Sequence, residues 1–590
     1  MKRTVTSLTL AAAMVGPLAV PAMAQHKPLT AQSSVPVDIE ALGEPKGRQI
    51  TAEIEARVMN KKLRKRLKSK VSKGAIKAAR QAYAQNLFKP LWTSVGAIQM
   101  RQVPELLAQH GLESEVTSAD INALIDKRFS ASEPSVQAQA DLDLTALWLK
   151  LTSDISGGLS DDGTAINRRT DAPARSDLVV SLRKAAQGNP LGEMNGFEPS
   201  APQYDKLQDA LQRYRILETS GGWKSLRRGE IVEPGETDPR IPALRERLSS
   251  EGYLSVLSIL PINRLASPEQ SNTSLTIYDE ITVEAVKAFQ RRHSLKDDGI
   301  LGPNTFDALN ESAASKVDKI AESLQTWRSY DDLGEKHVWA NIPSYTAIGY
   351  NNGKAEISMK TVVGKTQTKT PIFSDEAEYI VANPKWYLPI GLFKRQKLRK
   401  LREDPGYAAR KNYIIFDRDT REELDPYTVD WNTPGISRKI QMVQDSGDFN
   451  ALGILKIIFP NKHAIYLHGT PQKKLFDRSM RALSSGCVRL EDPKAFANWM
   501  TDNDTDIDTY KFNAVLESQE RERFYFAQHV PVHITYVGVT VDENGQASFH
   551  RDIYKKLSPA LMASENYEDF TASVKSAELS ATSQELASSN

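Results

Sequence analysis

The chain contains very little cysteine: Cys487 is the only one among 590 residues. A single cysteine excludes any internal disulfide and any zinc site that needs two or more thiolates. A lone cysteine is most often a small buried hydrophobic residue, so the count alone indicates no function. Its surroundings and its cellular compartment decide whether the thiol is reactive.

Histidine is scarce too, and neither sign of charge is in excess. The nine histidines form no His-Glu-x-x-His or similar pair, so a zinc hydrolase is not expected, and we predict no metal and no cofactor. The 76 Lys and Arg residues nearly balance the 74 Asp and Glu residues, and the net charge of +2 indicates no nucleic-acid partner. Hydrophobic residues make up 40% of the chain, as in ordinary soluble proteins, and its length predicts several domains.

Long apolar runs are also missing beyond the N-terminus, which argues against a later transmembrane segment. At the N-terminus, Met1-Lys2-Arg3 supplies positive charge, Leu8–Val20 is apolar, and Ala22 and Ala24 form a small-x-small site. This pattern is typical of a secretory signal peptide cleaved after Ala24, and it predicts a periplasmic protein. An uncleaved membrane anchor is the less favoured alternative because the run is short and Gly16-Pro17 interrupts it.

One stretch, from Ile465 to Leu490, contains both the cysteine and a histidine that can activate it. His468 precedes Cys487 by 19 positions. A thiol attacks as its thiolate, so it needs a base or positive charges nearby. The alternation in Ala464–His468 predicts a strand with Tyr466 and His468 on one face. An exported free thiol is a liability unless it is buried or used, which is a second reason to expect a catalytic cysteine.

The residues around Cys487 suit acyl-transfer chemistry. Ser485-Gly486 allows a tight backbone path. The glycine also lets a substrate carbonyl approach and leaves backbone N–H groups free to hold an oxyanion. Arg489 lies on the same side as the cysteine if the segment is extended, where it can bind a carboxylate or stabilise the thiolate.

His468-Gly469 followed by Ser484-Ser485-Gly486-Cys487-Val488-Arg489 resembles the signature of the L,D-transpeptidase (YkuD-type) catalytic domain. Many members have a histidine immediately before Gly-Cys, where this chain has Ser485, so His468 would carry the base role alone. The Ser-Ser-Gly-Cys-Val-Arg form is similar to that of the large, loop-capped L,D-transpeptidases of Gram-negative bacteria.

The resemblance implies a transferase that forms 3→3 peptidoglycan crosslinks through an acyl-enzyme on Cys487 and releases D-Ala from a donor tetrapeptide stem. It implies that His468 is the general base and acid. The Gly469 carbonyl would orient the imidazole, with Asp477 as a less favoured orienter. The partners would be donor and acceptor stem peptides, with an outer-membrane protein as an alternative acceptor.

The resemblance also assigns residues to oxyanion and substrate binding. Backbone N–H groups at Gly486 and Cys487, helped by Tyr466, are expected to hold the oxyanion. Trp386 lies in an Asn-Pro-x-Trp-x-x-Pro element of the family, where substrate contact and core packing are equally good interpretations. The full set of candidates for these roles is Tyr466, Ser485, Gly486, Arg489 and Trp386.

The expected fold is α+β and multidomain, with a mostly-β catalytic domain preceded by helical ones. The predicted organisation is a signal peptide (1–24), a linker (25–59), a helical scaffold domain (60–228), a small three-helix peptidoglycan-binding-like module (229–311), a connecting helix (312–336), a catalytic domain (337–562) with a capping insertion (about 391–447), and a disordered tail (563–590).

Helical periodicity and short motifs indicate the first two domains. The segments with apolar residues at helical spacing are 103–112, 121–129, 142–151 and 202–217. Phe88–Trp92, a Phe-x-x-Leu-Trp element, resembles part of the scaffold domain of the same enzymes. The run from Asp298 to Thr305, DGILGPNT, resembles the peptidoglycan-binding module, although glycan binding itself does not follow from it.

From Val338 the hydrophobic period changes towards two, which predicts strands. Tyr345–Tyr350 and Ala355–Val363 flank Asn351-Asn352-Gly353, a hairpin signal. A later hairpin is predicted to pair Val530–Val541 with Ala547–Ile553. The charged insertion 391–447 contains tyrosines and a tryptophan that argue against disorder, and it resembles the capping subdomain of these enzymes.

Two other functions remain open. A cysteine carboxypeptidase or endopeptidase would use the same nucleophile with water as the acceptor, although papain-like wall hydrolases place Cys before His and here His468 comes first. A non-catalytic wall-binding scaffold would explain the helical module but not a free thiol downstream of His468.

Overall fold

A bundle of helices begins the described part of the chain and encloses one hydrophobic core. The computed structural model describes residues 45–60, 72–114, 116–158, 178–255, 275–330 and 333–557. The predicted signal peptide, the predicted tail and residues 256–274 of the binding-like module lie outside these residues. The bundle consists of Pro45–Met59, Lys73–Gln85, Ser94–Gln99, Val103–Gln109, Ser118–Phe129, Pro134–Ile155, Leu178–Gln187 and Pro190–Asn195, with a 3-10 turn at Met100–Gln102.

A buried carboxylate fixes the predicted Phe-x-x-Leu-Trp element against the bundle. Asp141, in the central helix Pro134–Ile155, accepts hydrogen bonds from the backbone N–H groups of Leu91 at 3.0 Å and Trp92 at 3.2 Å. It also pairs with the Arg128 guanidinium and accepts a hydrogen bond from the Tyr83 hydroxyl, both at 2.7 Å. Buried charges are tolerated when they are paired and hydrogen-bonded, so this network holds the loop in place.

The linker prediction is wrong for its C-terminal part. Residues 45–59 form a helix whose apolar residues Ile50, Ile54 and Val58 are buried in the bundle core. These three residues lie four apart, which places them on one helical face. The prediction weighed the polar residues and scattered Pro and Gly of the segment more heavily than this spacing. The four helices predicted from periodicity between residues 103 and 217 are present.

The three helices predicted for the binding-like module are observed at Ile241–Ser250, Glu280–Arg292 and Pro303–Leu309. Gln290 holds the turn before the last helix: its side chain accepts a hydrogen bond from the Gly299 amide and donates one to the Ile300 carbonyl. Gly299 has φ +74°, a left-handed conformation that glycine adopts without strain. This requirement explains the glycine of the DGILGP motif.

A nine-stranded sheet carries the catalytic region. The strands of the chain are β1 Lys336–Asn341, β2 Thr346–Asn351, β3 Lys354–Gly364, β4 Phe373–Ala382, β5 Trp386–Tyr387, β6 Tyr413–Asp417, β7 Glu423–Leu424, β8 Ile440–Gln444, β9 Leu455–Ile458, β10 Leu467–His468, β11 Ala482–Ser484, β12 Val488–Leu490, β13 Glu522–Thr535, β14 Val539–Val541 and β15 Ala547–Phe549. In the large sheet the order is β11-β3-β12-β10-β9-β4-β13-β1-β2. The mostly-β character predicted for this region is confirmed.

The sheet differs from the predicted strands in two places. The predicted strand Ala464–His468 is reduced to β10, because Ala464 adopts φ +53° and turns the chain. The predicted hairpin of Val530–Val541 with Ala547–Ile553 is also only partly correct. Residues 530–535 belong to β13, which pairs with β1 and β4, and only β14 pairs with β15.

Helices Pro493–Thr501 and Thr509–Ser518 cover one face of the large sheet and complete its core. The insertion predicted as a cap has a core of its own. Its four-stranded sheet, β5-β8-β6-β7, includes Trp386–Tyr387, so the insertion begins a few residues before the predicted start near 391. Its short helices are Ile390–Leu392, Leu398–Glu403, Tyr407–Arg410 and Ile436–Lys439, with a π-helical turn at Phe393–Lys397.

Two further helices join the domains. Pro202–Thr219 packs along Ala313–Arg328, the predicted connecting helix, and both contact the β14–β15 hairpin. Within this junction Glu251 is enclosed between Arg247 and Lys316, at 2.6 Å and 2.5 Å. None of the helices in the described residues is long and apolar enough to cross a lipid bilayer.

Candidate active site

Two short parallel strands bring the predicted catalytic residues together. β10 and β12 pair in the register Leu467 with Val488 and His468 with Arg489. The Val488 amide also donates to the Tyr466 carbonyl at 3.3 Å, so the pairing continues one residue before each strand. Tyr466 therefore lies beside Cys487, just as His468 lies beside Arg489.

Side chains alternate along each strand, so these residues lie on two different faces of the sheet. Leu467 and Val488 are buried in the core under the sheet. Successive side chains of a strand point to opposite faces, so the chain neighbours of Leu467 and Val488 point away from the core. These neighbours are Tyr466, His468, Cys487 and Arg489, and we call them the site row. The strand alternation that predicted a shared face for Tyr466 and His468 agrees with this arrangement.

A network of hydroxyl groups fixes the loop before the cysteine. The Ser484 hydroxyl donates to the Cys487 carbonyl at 2.6 Å and accepts from the Gly486 amide at 3.0 Å. The Thr370 hydroxyl donates to the Gly486 carbonyl at 2.7 Å. Gly486 itself has φ +132°, a conformation that favours glycine. The glycine thus allows the tight path that the sequence predicted.

The network changes one expectation about the oxyanion donors. The Gly486 N–H was expected to be free, but the Ser484 hydroxyl accepts its hydrogen bond. Within the described residues, no hydrogen bond of the turns and loops uses the Cys487 amide. Ser485, the other candidate in this loop, is exposed. Ser484 holds the loop instead, and its position three residues before the cysteine was the signal that could have indicated this role.

Cys487 is partly buried, and its thiol is protonated at rest. Burial raises the pKa of the Cys487 thiol above its usual value, although hydrogen bonds from Tyr466 and the charges of Arg489 and Lys456 oppose this effect. The expectation that positive surroundings favour the thiolate is therefore only partly met, because desolvation is the larger effect. A base must remove the proton before the sulfur can attack.

His468, the predicted base, lies on the same face of the sheet as Cys487. The ring is buried, and its Nδ1–H donates to the Gly469 carbonyl at 2.5 Å, which fixes the tautomer and leaves Nε2 as the acceptor. Burial, helped by the positive charge of Arg489, lowers the pKa of His468 to about 3, so the imidazole is neutral near pH 7. Asp477, the alternative orienter, is exposed.

Tyr466 and Trp386 join the site row to the cap. The Tyr466 ring lies 5.5 Å from the His468 ring, centroid to centroid, and its hydroxyl lies within electrostatic reach of the Cys487 thiol and the Trp386 side chain. Burial raises the pKa of Tyr466, so its hydroxyl keeps its proton and remains a donor. Trp386, on β5, also packs against the cap core. Both interpretations of Trp386 are thus compatible with its position.

Arg489 has an unsatisfied donor. Its Nη1 donates to the Gln472 side chain at 3.1 Å, while its Nε is buried without a hydrogen-bond partner among the described residues. Burial lowers the pKa of the guanidinium, which nonetheless stays charged. A buried donor with no partner is costly, so this Nε–H is available to a ligand that brings an acceptor.

The sequence analysis missed Lys456, which lies on β9 directly opposite His468. Its ammonium group is 5.3 Å from the centroid of the Tyr466 ring, on the same face as the site row. The signal was available in the sequence: Leu455-Lys456-Ile457 places a lysine between two core residues of a strand. Thr370 was missed as well, and its distance from the cysteine in sequence gave no signal.

Comparisons with known proteins match three segments of the chain. Residues 335–512 match the family model of the YkuD L,D-transpeptidase catalytic domain. Residues 77–211 match a scaffold domain, and residues 237–309 match a "Putative peptidoglycan binding domain". The three matches follow the same order along the chain as the helical bundle, the three-helix module and the large sheet.

Among curated proteins, the chain is similar to a "Putative L,D-transpeptidase" of Haemophilus influenzae, with 34% identity over 236 residues. The match covers 40% of this chain and 47% of that relative, so it spans about half of the relative's length. Among solved structures, an L,D-transpeptidase from Mycobacterium smegmatis is 13% identical with a TM-score of 0.17, over 34% of this chain and 58% of that one. One from Xylanimonas cellulosilytica is 14% identical with a TM-score of 0.16, over 52% and 99%.

Proposed function

Because the chain carries a YkuD L,D-transpeptidase catalytic domain and a peptidoglycan-binding domain, we propose that it forms 3→3 crosslinks in peptidoglycan. The donor is a tetrapeptide stem that loses its terminal D-Ala. The stem is held as a thioester on Cys487 before transfer. The acceptor is the side-chain amine of a second stem.

One observation above all supports this proposal. Cys487 and His468 lie on the same face of two paired strands, and a backbone carbonyl fixes the imidazole with Nε2 available. A partly buried thiol and a neutral imidazole on one face of neighbouring strands can serve as a nucleophile and its base, which is the arrangement that cysteine acyl transfer needs. The match of residues 335–512 to the YkuD L,D-transpeptidase catalytic domain favours transfer over hydrolysis.

Acylation follows from these positions. His468 Nε2 takes the thiol proton as the sulfur attacks the carbonyl between the diamino acid and the terminal D-Ala. The Cys487 amide and the Tyr466 hydroxyl are the proposed oxyanion donors, each of which can lower the barrier by about 3 kcal/mol. The C–N bond then breaks, and D-Ala leaves with the proton from the imidazole.

Transfer to the acceptor reverses the course of acylation: an amine attacks the carbonyl, and the sulfur then leaves. The neutral amine of the acceptor attacks the thioester carbonyl, and His468 removes a proton from the amine nitrogen. The C–S bond breaks, and the sulfur leaves as a thiol with that proton. Because burial raises the pKa of the Cys487 thiol, the sulfur is protonated again before the next donor arrives.

The proposed reaction takes place outside the cytoplasmic membrane, where the peptidoglycan layer is found. We propose the periplasm, on the basis of the N-terminal segment 1–24. An amine of an outer-membrane protein is an alternative acceptor, and transfer to water would give a tripeptide. Since the peptidoglycan-binding domain precedes the catalytic region, binding of the polymer by residues 237–309 would keep stems near the site.

The test is to incubate the purified full-length protein with a disaccharide tetrapeptide and to analyse products and protein by mass spectrometry. We expect 3→3 dimers, free D-Ala and a thioester adduct on Cys487. Cys487→Ala should yield none of the three while keeping the wild-type melting temperature. Tripeptide as the sole product would contradict transfer and indicate a carboxypeptidase, and no covalent adduct with donor or carbapenem would indicate a binding scaffold.

A further inference from the structure

We propose that Lys456 and Arg489 form a binding site for a carboxylate group beside the Cys487 thiol. Resting on the function proposed above, we infer that the ligand is the free carboxylate of the residue that leaves the donor stem. Lys456 then decides which stems can serve as donors: those that end one residue after the attacked bond.

The two cations flank the catalytic histidine. β9, β10 and β12 are neighbours in the sheet, and their register places Lys456, His468 and Arg489 in one row across the three strands. Residues opposite each other in a sheet point to the same face, and strands lie about 4.8 Å apart. Both charged side chains therefore stand on the face of the nucleophile, one on each side of its base.

Neither cation has an ion-pair partner among the described residues. Arg489 contacts the neutral Gln472 side chain and keeps a buried Nε without a partner. Lys456 is half-buried, and its described contact is with the face of the Tyr466 ring. Placing two such charges together in a partly buried site is unfavourable unless an anion joins them.

The protein itself supplies too little negative charge for this pair. The Cys487 thiolate is the anionic neighbour that raises the pKa of both Lys456 and Arg489, against the larger, lowering effect of burial. Arg521 and Arg523, near the start of β13, add further positive charge to the surroundings of Lys456. A single thiolate cannot neutralise these cations, and burial keeps the thiol protonated at rest. The missing anion must come with the substrate.

The chemistry of the donor identifies that anion. In a stem that ends one residue after the attacked carbonyl, only the amide nitrogen and one α-carbon separate that carbonyl from the terminal carboxylate. Standard bond lengths put the two carbon atoms roughly 4 Å apart. A carbonyl held at the Cys487 sulfur therefore brings its carboxylate within reach of long side chains on the adjacent strands. Arg489 offers a planar pair of donors, and Lys456 adds a point charge.

The decisive experiment compares two donors on the full-length protein. One is a tetrapeptide stem with a free terminal carboxylate, and the other is the same stem ending in an amide. We expect wild-type protein to acylate at least about 100-fold faster with the acid, because the amide leaves the cation pair unpartnered. In Lys456→Met this preference should fall to within about threefold, while Lys456→Arg should keep most of it.

Lys462→Met is the matched control, because Lys462 is an exposed lysine that follows β9 along the chain. It should retain the wild-type preference for the acid. A Lys456→Met protein that keeps the full preference would overturn the proposal, as would a wild-type protein that does not discriminate. Lys456→Gln provides a second neutral variant, and a melting curve of each variant shows whether it is folded.

A second measurement separates this proposal from the proposed reaction. Millimolar D-alanine should slow alkylation of Cys487 by iodoacetamide in wild-type protein, whereas D-alaninamide should not. The protection should disappear in Lys456→Met. If no crosslinks form but D-alanine still protects, the carboxylate site stands and the transfer reaction fails. If crosslinks form and D-alanine gives no protection in any variant, the carboxylate site fails alone.

Discussion

Two clusters of cations, one buried at the junction of the helices and one partly buried in the candidate active site, differ in whether a carboxylate accompanies them. At the junction of the helices, Arg247 and Lys316 contact Glu251, which also accepts a hydrogen bond from Tyr214 at 2.7 Å. In the candidate active site, Lys456 and Arg489 have no such partner among the described residues.

The surroundings of the two clusters differ in the same way. Lys316 donates to the His293 ring and lies 4.6 Å from the centroid of the Phe549 ring, and Arg247 stacks 3.7 Å above Trp223. These contacts and the Glu251 carboxylate compensate the charge of the junction cations from within the chain, although Arg247 Nη2 is buried without a hydrogen-bond partner. At Arg489 a buried Nε also lacks a partner, and no carboxylate of the described residues lies beside the charge. A cluster completed by a carboxylate holds domains together, whereas a cluster without one can take its anion from a ligand.

The largest effect is expected from breaking the completed cluster. Glu251→Gln removes the charge that Arg247 and Lys316 share and leaves two buried cations uncompensated. We expect the free energy of unfolding to fall by about 3–5 kcal/mol. Denaturant unfolding measures the change, and Glu246→Gln, an exposed position on the same helix, is the control. A loss as small as that of the control would mean that the junction does not depend on this charge.

Lowering the pH should weaken the same cluster in the wild-type protein. Lys316 and Arg247 lower the pKa of Glu251 from 4.5 to about 2 against the opposing effect of burial. Since the folded pKa is depressed, the stabilisation is complete above about pH 5 and is lost as the pH falls towards 2, by about 3 kcal/mol. Unfolding curves over this range should show less dependence on pH in Glu251→Gln. Equal slopes in both proteins would contradict the assignment.

Breaking the incomplete cluster should affect chemistry and leave stability intact. Arg489→Met removes a partly buried cation whose Nε has no hydrogen-bond acceptor, so we expect an unchanged or slightly higher melting temperature. Acylation by a donor with a free carboxylate should slow by about 30-fold, a loss of about 2 kcal/mol in transition-state binding. Single-turnover kinetics measure this rate. A destabilised protein would place Arg489 with the junction cations, as part of the framework.

The smallest effect is expected in the pH dependence of Cys487 inactivation: the rate should not change where an ordinary histidine titrates. Because burial and Arg489 lower the pKa of His468 to about 3, the base is neutral throughout the range from about pH 5 to 8. Inactivation of Cys487 by a carbapenem should therefore show no step near pH 6.5, where an ordinary histidine titrates. A step at that pH would show that the imidazole is more exposed to solvent than this structure indicates.

Much of the architecture could be predicted from local sequence signals. Apolar periodicity gave the helices between residues 103 and 217, and the Asn-Asn-Gly signal gave the β2–β3 hairpin. The segment 45–59 was misjudged because its apolar residues are few and lie four apart among polar ones. Residues 530–535 were misjudged because strand pairing with β1 and β4 depends on contacts that are distant in sequence.

The site was predictable where residues are close in sequence. His468, Gly469 and Cys487 follow from one short stretch, since a parallel pairing of its two ends brings them together. Lys456 and Thr370 come from other strands and loops, so only the sheet register brings them into the site. The engagement of the Gly486 amide by Ser484 could not be predicted either, because it depends on the rotation of one hydroxyl group.

The bond from Thr370 to the nucleophile loop has a consequence for biosynthesis. Thr370 is itself held by Tyr554: its amide donates to the tyrosine hydroxyl at 3.1 Å, and that hydroxyl donates to the Gly364 carbonyl. Tyr554 follows Cys487 in the chain, so the support beneath the nucleophile is assembled only after the segment through Tyr554 has been synthesised. A nascent chain that stops between Cys487 and Tyr554 would therefore carry a thiol that is not yet held in position, and its reactivity would come only with the later segment.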